Sequence, residues 1–283
     1  MRNGSLSYLL GNRFRRLAWT EWGDPAAPVV LCVHGLTRTG RDFDALAEAL
    51  AYRARVVAPD LPGRGASEWL EGPDAYTLAS YVQALSHLLA AVGASERRPV
   101  CWVGTSLGGI LGMIVAASGH QPISRMVLND VGPFIPQAAL ARIADYMRDA
   151  PTEFSDNATL EAHLRRVHAP FGRLTDAQWR QLARTGGRAL PDGRVALHYD
   201  PAITAAVLAT LPTDVDLWPL WAAAAGMPRM VVRGADSDLL EPATVDRMVA
   251  DGAELVVVPE AGHAPALMDA TTIGRIRDFL FDQ

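Results

Sequence analysis

The 283-residue sequence has little cysteine, no long hydrophobic run and no long run of basic residues. Its two cysteines, Cys32 and Cys101, fall in predicted buried strands, which indicates reduced thiols and a cytoplasmic protein. No apolar segment reaches the ~20 residues that span a bilayer, and the first residues lack a signal-peptide core, so we expect no membrane partner. The net charge of -5 and the short basic runs argue against nucleic-acid binding.

Short apolar runs bounded by turn residues recur along the chain, at residues 28–35, 54–60, 99–104, 123–130, 228–234 and 253–260. They are continuous rather than alternating, as is typical of strands covered on both faces. Helical patterns lie between several of them, at residues 41–51, 78–93, 107–118 and 242–252. This order predicts an α/β fold with a mostly parallel central sheet, helices on both of its faces and an N-terminal edge hairpin.

A mainly helical stretch interrupts this alternation between residues 133 and 212. It is too long for an ordinary loop, so we interpret it as a helical cap inserted into a core domain made of residues 1–132 and 213–283. The cap is rich in aromatic residues. Some of these must form its own core, and we expect the rest to line an apolar pocket, with three candidates for substrate contact: Phe134, Trp179 and Tyr199.

The sequence "GTSLGG" at residues 104–109 places Ser106 between a predicted strand and a predicted helix. A serine at such a sharp corner is held out of the sheet, and glycines at 104 and 108 relieve the crowding around it. Backbone N–H groups at the start of the helix can stabilise an oxyanion. We expect the amide of Leu107 to be one donor and the amide of Leu36, in the "HGLT" loop, to be the other.

A serine nucleophile needs a base, and a base needs an acid that orients it. Among the seven histidines, His263 stands out because "PEAGHAP" follows the last predicted strand and therefore reaches the same sheet edge as Ser106. Three aspartates lie at the carboxyl ends of predicted strands and are candidates for the acid: Asp130, Asp236 and Asp238.

Together these motifs resemble the α/β-hydrolase superfamily, in its serine-nucleophile form with a helical cap. The matching pieces are "HGLT", "DLPGRGAS" at 60–67, "GTSLGG", the aspartate after "VVRG" and "AGHAP". The distance from Asp238 to the helix that begins near Pro242 resembles the family's spacing, which favours Asp238 as the acid. Related enzymes sometimes take the acid from the strand that ends at Asp130 instead.

The resemblance implies an esterase that hydrolyses a small or medium apolar carboxylic ester through an acyl-enzyme. Dehalogenases and epoxide hydrolases of this fold use aspartate where this chain has Ser106, which argues against both. A lactonase, a hydrolase of β-diketone C–C bonds and a non-catalytic binding protein remain alternatives. We expect no cofactor and no metal, because no cluster has ligand spacing, and a monomer or homodimer.

Overall fold

An N-terminal hairpin and four further strands begin the central sheet of the computed structural model, which describes residues 1–119, 122–148, 150–209 and 213–282. These strands are β1 (Arg2–Leu10), β2 (Arg13–Trp22), β3 (Val29–Val33), β4 (Arg55–Asp60), β5 (Val100–Thr105) and β6 (Ile123–Asn129). The helices between them are α1 (Asp44–Leu50), α2 (Leu78–Ala91) and α3 (Leu107–Ala116), with short 3₁₀ turns at Gly40–Phe43 and Pro73–Ala75.

The segment after β6 carries four helices, α4 (Gln137–Arg148), α5 (Asn157–Val167), α6 (Asp176–Gly186) and α7 (Pro201–Ala209), and a 3₁₀ turn at Ala169–Phe171. It also contains short strands that the helical interpretation did not include: β7 (Phe134–Ile135), β8 (Glu153–Phe154), β9 (Gly187–Ala189), β10 (Val195–Leu197) and β11 (Val215–Asp216). β8, β10 and β9 form one small sheet, and β7 pairs with β11. The ends of the segment therefore lie together, and β11 lies just beyond the predicted boundary at residue 212, which is outside the described residues.

The chain then completes the sheet through α8 (Trp218–Ala223), β12 (Arg229–Gly234), α9 (Pro242–Ala250), β13 (Glu254–Val258) and α10 (Ala270–Phe281). The strand order is β1-β2-β4-β3-β5-β6-β12-β13. β2 is antiparallel to both of its neighbours, and the strands from β4 to β13 pair in parallel. The predicted α/β architecture with an N-terminal edge hairpin is confirmed.

Both faces of the sheet are buried, which explains the continuous apolar runs. In β3, Leu31 and Val33 belong to a core shared with α2 and α3, whereas Val30 and Cys32 belong to a second core shared with α1 and α10. Each fully buried side chain of this size contributes about 1.5–3 kcal/mol to folding. No helix among the described residues is both long and apolar enough to cross a membrane.

The parallel strands end at one edge of the sheet, where the chain passes from β3 to β4 on one side and then crosses back from β4 to β5 on the other side of β3. Such a switch point opens a crevice at the carboxyl ends of the strands. The residues that follow β3, β5, β6, β12 and β13 consequently meet there.

Candidate active site

Ser106 occupies the turn between β5 and α3 with a left-handed backbone, at φ 50° and ψ -114°. Its neighbours on either side must be small. A Cβ added to Gly104 would lie 2.4 Å from the carbonyl oxygen of Gly108, and one added to Gly108 would lie 1.9 Å from that of Val33. The glycines therefore allow the start of α3 to approach β3 and β5 closely, which is the role that the sequence predicts for them.

His263 lies on the loop after β13 and joins two other side chains. Its Nε2 is 3.0 Å from Ser106 Oγ, and its Nδ1 is 2.8 Å from Asp130 Oδ2. A neutral ring protonated at Nδ1 satisfies both contacts, because it donates to the carboxylate and accepts from the hydroxyl. This arrangement leaves Nε2 free to take the proton of the serine.

Asp130 follows β6 directly and is fully buried, with φ 54°. Its Oδ1 accepts a hydrogen bond from the Gly234 amide (2.9 Å). Its Oδ2 accepts from Ser237 Oγ (2.6 Å) as well as from His263. A buried carboxylate needs such donors to offset the loss of its hydration, so this one is held in a fixed position.

The preference for Asp238 as the partner of His263 was wrong. The side chain of Asp238 is half exposed and forms an ion pair with Arg142 of α4, whose Nη2 lies 2.9 Å from Asp238 Oδ1. Asp236 is also exposed, and its amide bonds the Ala261 carbonyl (2.8 Å). The spacing to α9 indicated the loop after β12, but the carboxylate that reaches His263 follows β6, and the loop contributes the buried hydroxyl of Ser237 instead.

The site contains two further residues that the sequence motifs did not predict, Ser237 and Asn129. Ser237 donates to Asp130, and Asn129 donates from Nδ2 to Thr105 Oγ1 (3.0 Å) and to the Pro265 carbonyl (2.8 Å). Asn129 thus joins the end of β5 to the histidine loop. The one available signal was the polar pair Asn129-Asp130 at the end of an otherwise apolar strand, because buried polar groups need partners.

The model of the Alpha/beta hydrolase family matches residues 30–273, which is most of the chain. The chain belongs to this family. A curated 3-hydroxybutyrate-oligomer hydrolase from Cupriavidus necator is 42% identical to it over 269 residues, covering 91% of this chain and 90% of the relative.

Two solved structures share the architecture of this hydrolase over nearly the whole of its chain. A protein from Rickettsia typhi superposes with a TM-score of 0.91 at 30% identity and covers 100% of both chains. An alpha/beta hydrolase from Novosphingobium aromaticivorans superposes with a TM-score of 0.87 at 35% identity, covering 99% of this chain and 97% of its own. The resemblance seen in the motifs is therefore confirmed at the level of family and fold.

The loop after β3 lies against the serine of the hydrolase. A Cβ added to Gly35 would lie 3.7 Å from the Ser106 Cβ, so this loop passes within van der Waals distance. Leu36 and Leu107 both border the cavity at Ser106. Leu107 is the first residue of α3, and N–H groups in the first turn of a helix have no acceptor within it. That these two amides act as oxyanion donors stays a prediction.

Buried polar residues hold this loop in place. His34 Nδ1 donates to the Gly35 carbonyl (2.7 Å), and His34 Nε2 accepts from the Leu61 amide (2.9 Å). Burial, reinforced by the charge of Arg64, lowers the pKa of His34 to about 3, so the ring is neutral. Arg64 is itself fully buried, and its Nε donates to the Leu36 carbonyl (2.9 Å).

A cavity of about 670 Å³ opens beside Ser106 and His263, between the sheet edge and the inserted segment. Its walls are mainly apolar. The inserted segment contributes Ile135, Leu140, Ile143, Tyr146, Phe171 and Val207, among others. This volume falls within the range of sites for small ligands.

The three aromatic residues expected to contact substrate do not line this cavity. Trp179 is buried in α6, with the Arg165 guanidinium 5.7 Å from its ring centre. Tyr199 is buried where its backbone pairs with Arg64. Phe134 is half-buried in β7, opposite Asp216. They support the fold of the segment instead, and smaller aliphatic residues supply most of the cavity wall.

Within residues 1–119, 122–148, 150–209 and 213–282, no group of three or more histidine, cysteine, aspartate or glutamate side chains is placed to hold a metal ion. Both cysteines are free thiols: Cys32 is fully buried in β3, and Cys101 is partly buried in β5. Neither is among the residues that line the cavity at Ser106.

Proposed function

We propose that this chain is a serine esterase that cleaves carboxylic esters through an acyl-enzyme intermediate. One observation carries the proposal: hydrogen bonds run without a break from Ser106 Oγ through the His263 ring to the buried Asp130, beside a mainly apolar cavity. A serine is a weak nucleophile alone, and a base oriented by a carboxylate is the arrangement that activates it.

In the proposed reaction, Ser106 Oγ attacks the ester carbonyl carbon while His263 Nε2 accepts the hydroxyl proton. The resulting imidazolium faces Asp130, whose charge stabilises it. Collapse of the tetrahedral intermediate breaks the bond to the alcohol oxygen, which leaves with the proton from His263. Water then attacks the acyl-serine with the same histidine as base, releasing the acid and restoring Ser106.

We assign the developing oxyanion to the amides of Leu36 and Leu107. Leu107 begins α3, so the positive end of the helix dipole adds to its effect. Leu36 lies on the loop that His34 and Arg64 fix. Donors that are already oriented need no reorganisation as the charge develops, and one such donor contributes about 10²–10³ in rate.

For the substrate, we propose short oligomers of 3-hydroxybutyrate and related hydroxyacid esters. The support is the 42% identity to a 3-hydroxybutyrate-oligomer hydrolase over nine-tenths of both chains. The cavity is consistent with such a ligand, because its volume suits a molecule of a few monomer units and its wall suits methyl-bearing chains.

The first test is covalent labelling with a fluorophosphonate, followed by peptide mapping. We expect one adduct on wild-type Ser106 and none on Ser106→Ala. Loss of the nucleophile should lower kcat by about 10⁴–10⁶ while the melting temperature changes little, because the hydroxyl projects into the cavity. The matched control is Ser86→Ala, which removes an exposed hydroxyl from α2 that bonds only the Val82 carbonyl in the described structure.

A substrate panel then separates the reaction classes. It contains p-nitrophenyl esters of increasing chain length, 3-hydroxybutyrate dimers and trimers, a lactone and a β-diketone. Turnover of the esters supports the proposal, and preferential turnover of the lactone or the diketone would replace it with one of the alternatives. Absence of an adduct on Ser106 would favour a binding protein and refute the esterase.

A further inference from the structure

The cavity beside Ser106 has an unbalanced charge, although the whole chain has a net charge of -5. Three arginines are among its lining residues: Arg38, Arg142 and Arg166. No aspartate or glutamate is among the described residues that line it. Purely apolar esters offer these cations nothing to bind, so the partners of each guanidinium group decide whether it is available to a ligand.

Two of the three arginines already have carboxylate partners. Arg38 binds Asp42 through two hydrogen bonds of 2.7 Å each. Arg142 binds Asp238 across the boundary between the inserted segment and the core. Both guanidinium groups are therefore neutralised where they stand, and neither has its full charge available for a ligand.

Arg166, a solvent-exposed residue of α5 that lines the cavity, differs from them. Its Nη2 lies 3.3 Å from His163 Nδ1, and no ion pair links it to a carboxylate within the part of the chain that the structure describes. Burial and the neighbouring Arg166 charge both lower the pKa of His163, so this ring remains a neutral acceptor. His163 also packs against Phe154, with ring centres 5.0 Å apart. The histidine can orient the guanidinium but cannot neutralise it.

The other histidine on this side of the cavity supplies no compensating charge either. His168 lines the cavity two residues beyond Arg166 and packs on Phe171, with ring centres 4.4 Å apart. Burial, together with the charge of Arg38, lowers the pKa of His168 well below its ordinary value. The positive charge on this wall is therefore that of the arginines, and Arg166 is the one whose charge is available to pair with a ligand carboxylate.

We propose that Arg166 forms a carboxylate-binding subsite, which makes the enzyme selective for esters that end in a free carboxylate. This inference rests on the proposed function. A linear hydroxyacid oligomer has one such terminus, and a guanidinium binds a carboxylate through two parallel hydrogen bonds. Fixing that end at Arg166 positions an ester bond of the oligomer at Ser106, while the aliphatic wall accommodates the chain between them.

The experiment compares the linear 3-hydroxybutyrate dimer, a free acid, with its methyl ester, which differs by one methyl group and has no charge at that end; cleavage of the internal ester bond is followed in both. The measured quantity is the ratio of kcat/KM for the acid to kcat/KM for the methyl ester. We expect wild type to favour the acid, and Arg166→Gln to lower the ratio by about 10- to 100-fold, as for loss of a hydrogen bond to a charged group.

The matched control is Arg180→Gln, which removes an exposed cation of α6 that does not line the cavity. It should leave the ratio at the wild-type value, which separates a local subsite from a general effect of charge. Fluorophosphonate labelling of Ser106 in Arg166→Gln, at the wild-type rate, establishes that the variant is folded.

Two results would overturn the inference while leaving the esterase intact: wild type that favours the methyl ester, or an acid-to-ester ratio that Arg166→Gln does not change. If wild type hydrolyses neither dimer nor any p-nitrophenyl ester, the proposed function itself fails. A reduction of the ratio by Arg180→Gln equal to that by Arg166→Gln would assign the selectivity to overall charge rather than to the subsite.

Discussion

Replacing Asp130 by asparagine tests the assignment of the acid, because asparagine keeps the shape and removes the charge. The carboxylate accepts three hydrogen bonds, one on Oδ1 from the Gly234 amide and two on Oδ2 from Ser237 and His263. An asparagine has one oxygen. Since the Gly234 N–H cannot act as an acceptor, that oxygen must face it, and the new NH₂ group faces Ser237 and His263.

Replacing the carboxylate oxygen by an NH₂ group puts a hydrogen-bond donor where His263 Nδ1 needs an acceptor. The Ser237 hydroxyl can rotate to accept, but His263 Nδ1 becomes an acceptor only by moving its proton to Nε2. Nε2 then carries hydrogen toward Ser106 Oγ and cannot take the serine proton. The expected loss in kcat is roughly 10⁴-fold, or about 5 kcal/mol of transition-state stabilisation.

The assay is kcat on a p-nitrophenyl ester, with the melting temperature measured in parallel to establish that each variant folds. Asp238→Asn is the matched control: it removes an equal charge but only loosens a half-exposed pair with Arg142, so kcat should stay within about threefold of wild type. The assignment of Asp130 would be refuted if folded Asp130→Asn retained a tenth or more of wild-type kcat, or if kcat of Asp238→Asn fell by the amount expected for Asp130→Asn.

Two predictions concern stability. Gly108→Ala should lower the free energy of unfolding by about 3 kcal/mol or more, because the new Cβ would lie 1.9 Å from the Val33 carbonyl oxygen. Denaturant titrations measure this, and the control Gly274→Ala, which places a methyl group in open space on α10, should be neutral or stabilising. Equal losses of unfolding free energy in the two variants would contradict the close approach of α3 to β3. Because burial lowers the pKa of His34 from 6.5 to about 3, the unfolded chain binds this proton more tightly. The stability that neutral His34 contributes is therefore complete above pH 6.5 and is lost as the pH falls toward 3, by up to about 1.4 kcal/mol per pH unit. The unfolding free energy of His34→Gln should fall less steeply with pH over this range than that of wild type. Parallel curves for the two proteins would show that His34 does not cause the loss of stability at low pH.

Much of the sheet could be predicted because burial on both faces leaves a strong mark on a sequence. The run around β3 is apolar at every position, since Leu31 and Cys32 enter different cores. Ser106 and His263 were also predictable, because each follows such a strand at the edge where parallel strands end.

Other features depend on the direction of side chains and on distances in space, which the spacing of residues along the sequence does not specify. Asp130 and Asp238 both follow strands, yet one points inward to His263 and the other outward to Arg142. The strands β7 and β11 contain two residues each, too few to show a period. Nor could residue type distinguish Trp179, which supports the inserted segment, from Tyr146, which lines the cavity.

The pairing of β7 with β11 brings the two ends of the inserted segment together, and the Leu217 amide bonds the Pro133 carbonyl (2.7 Å) beside them. The segment is thus attached to the core through two adjacent crossings, which is the arrangement that tolerates insertion and exchange. Gly132, by contrast, is packed against Leu240 and Met248 and belongs to the core. Recombination between relatives at Pro133 and Leu217 would therefore exchange the part of the cavity wall that the inserted segment supplies, Arg166 included, while Ser106, His263 and Asp130 stay unchanged.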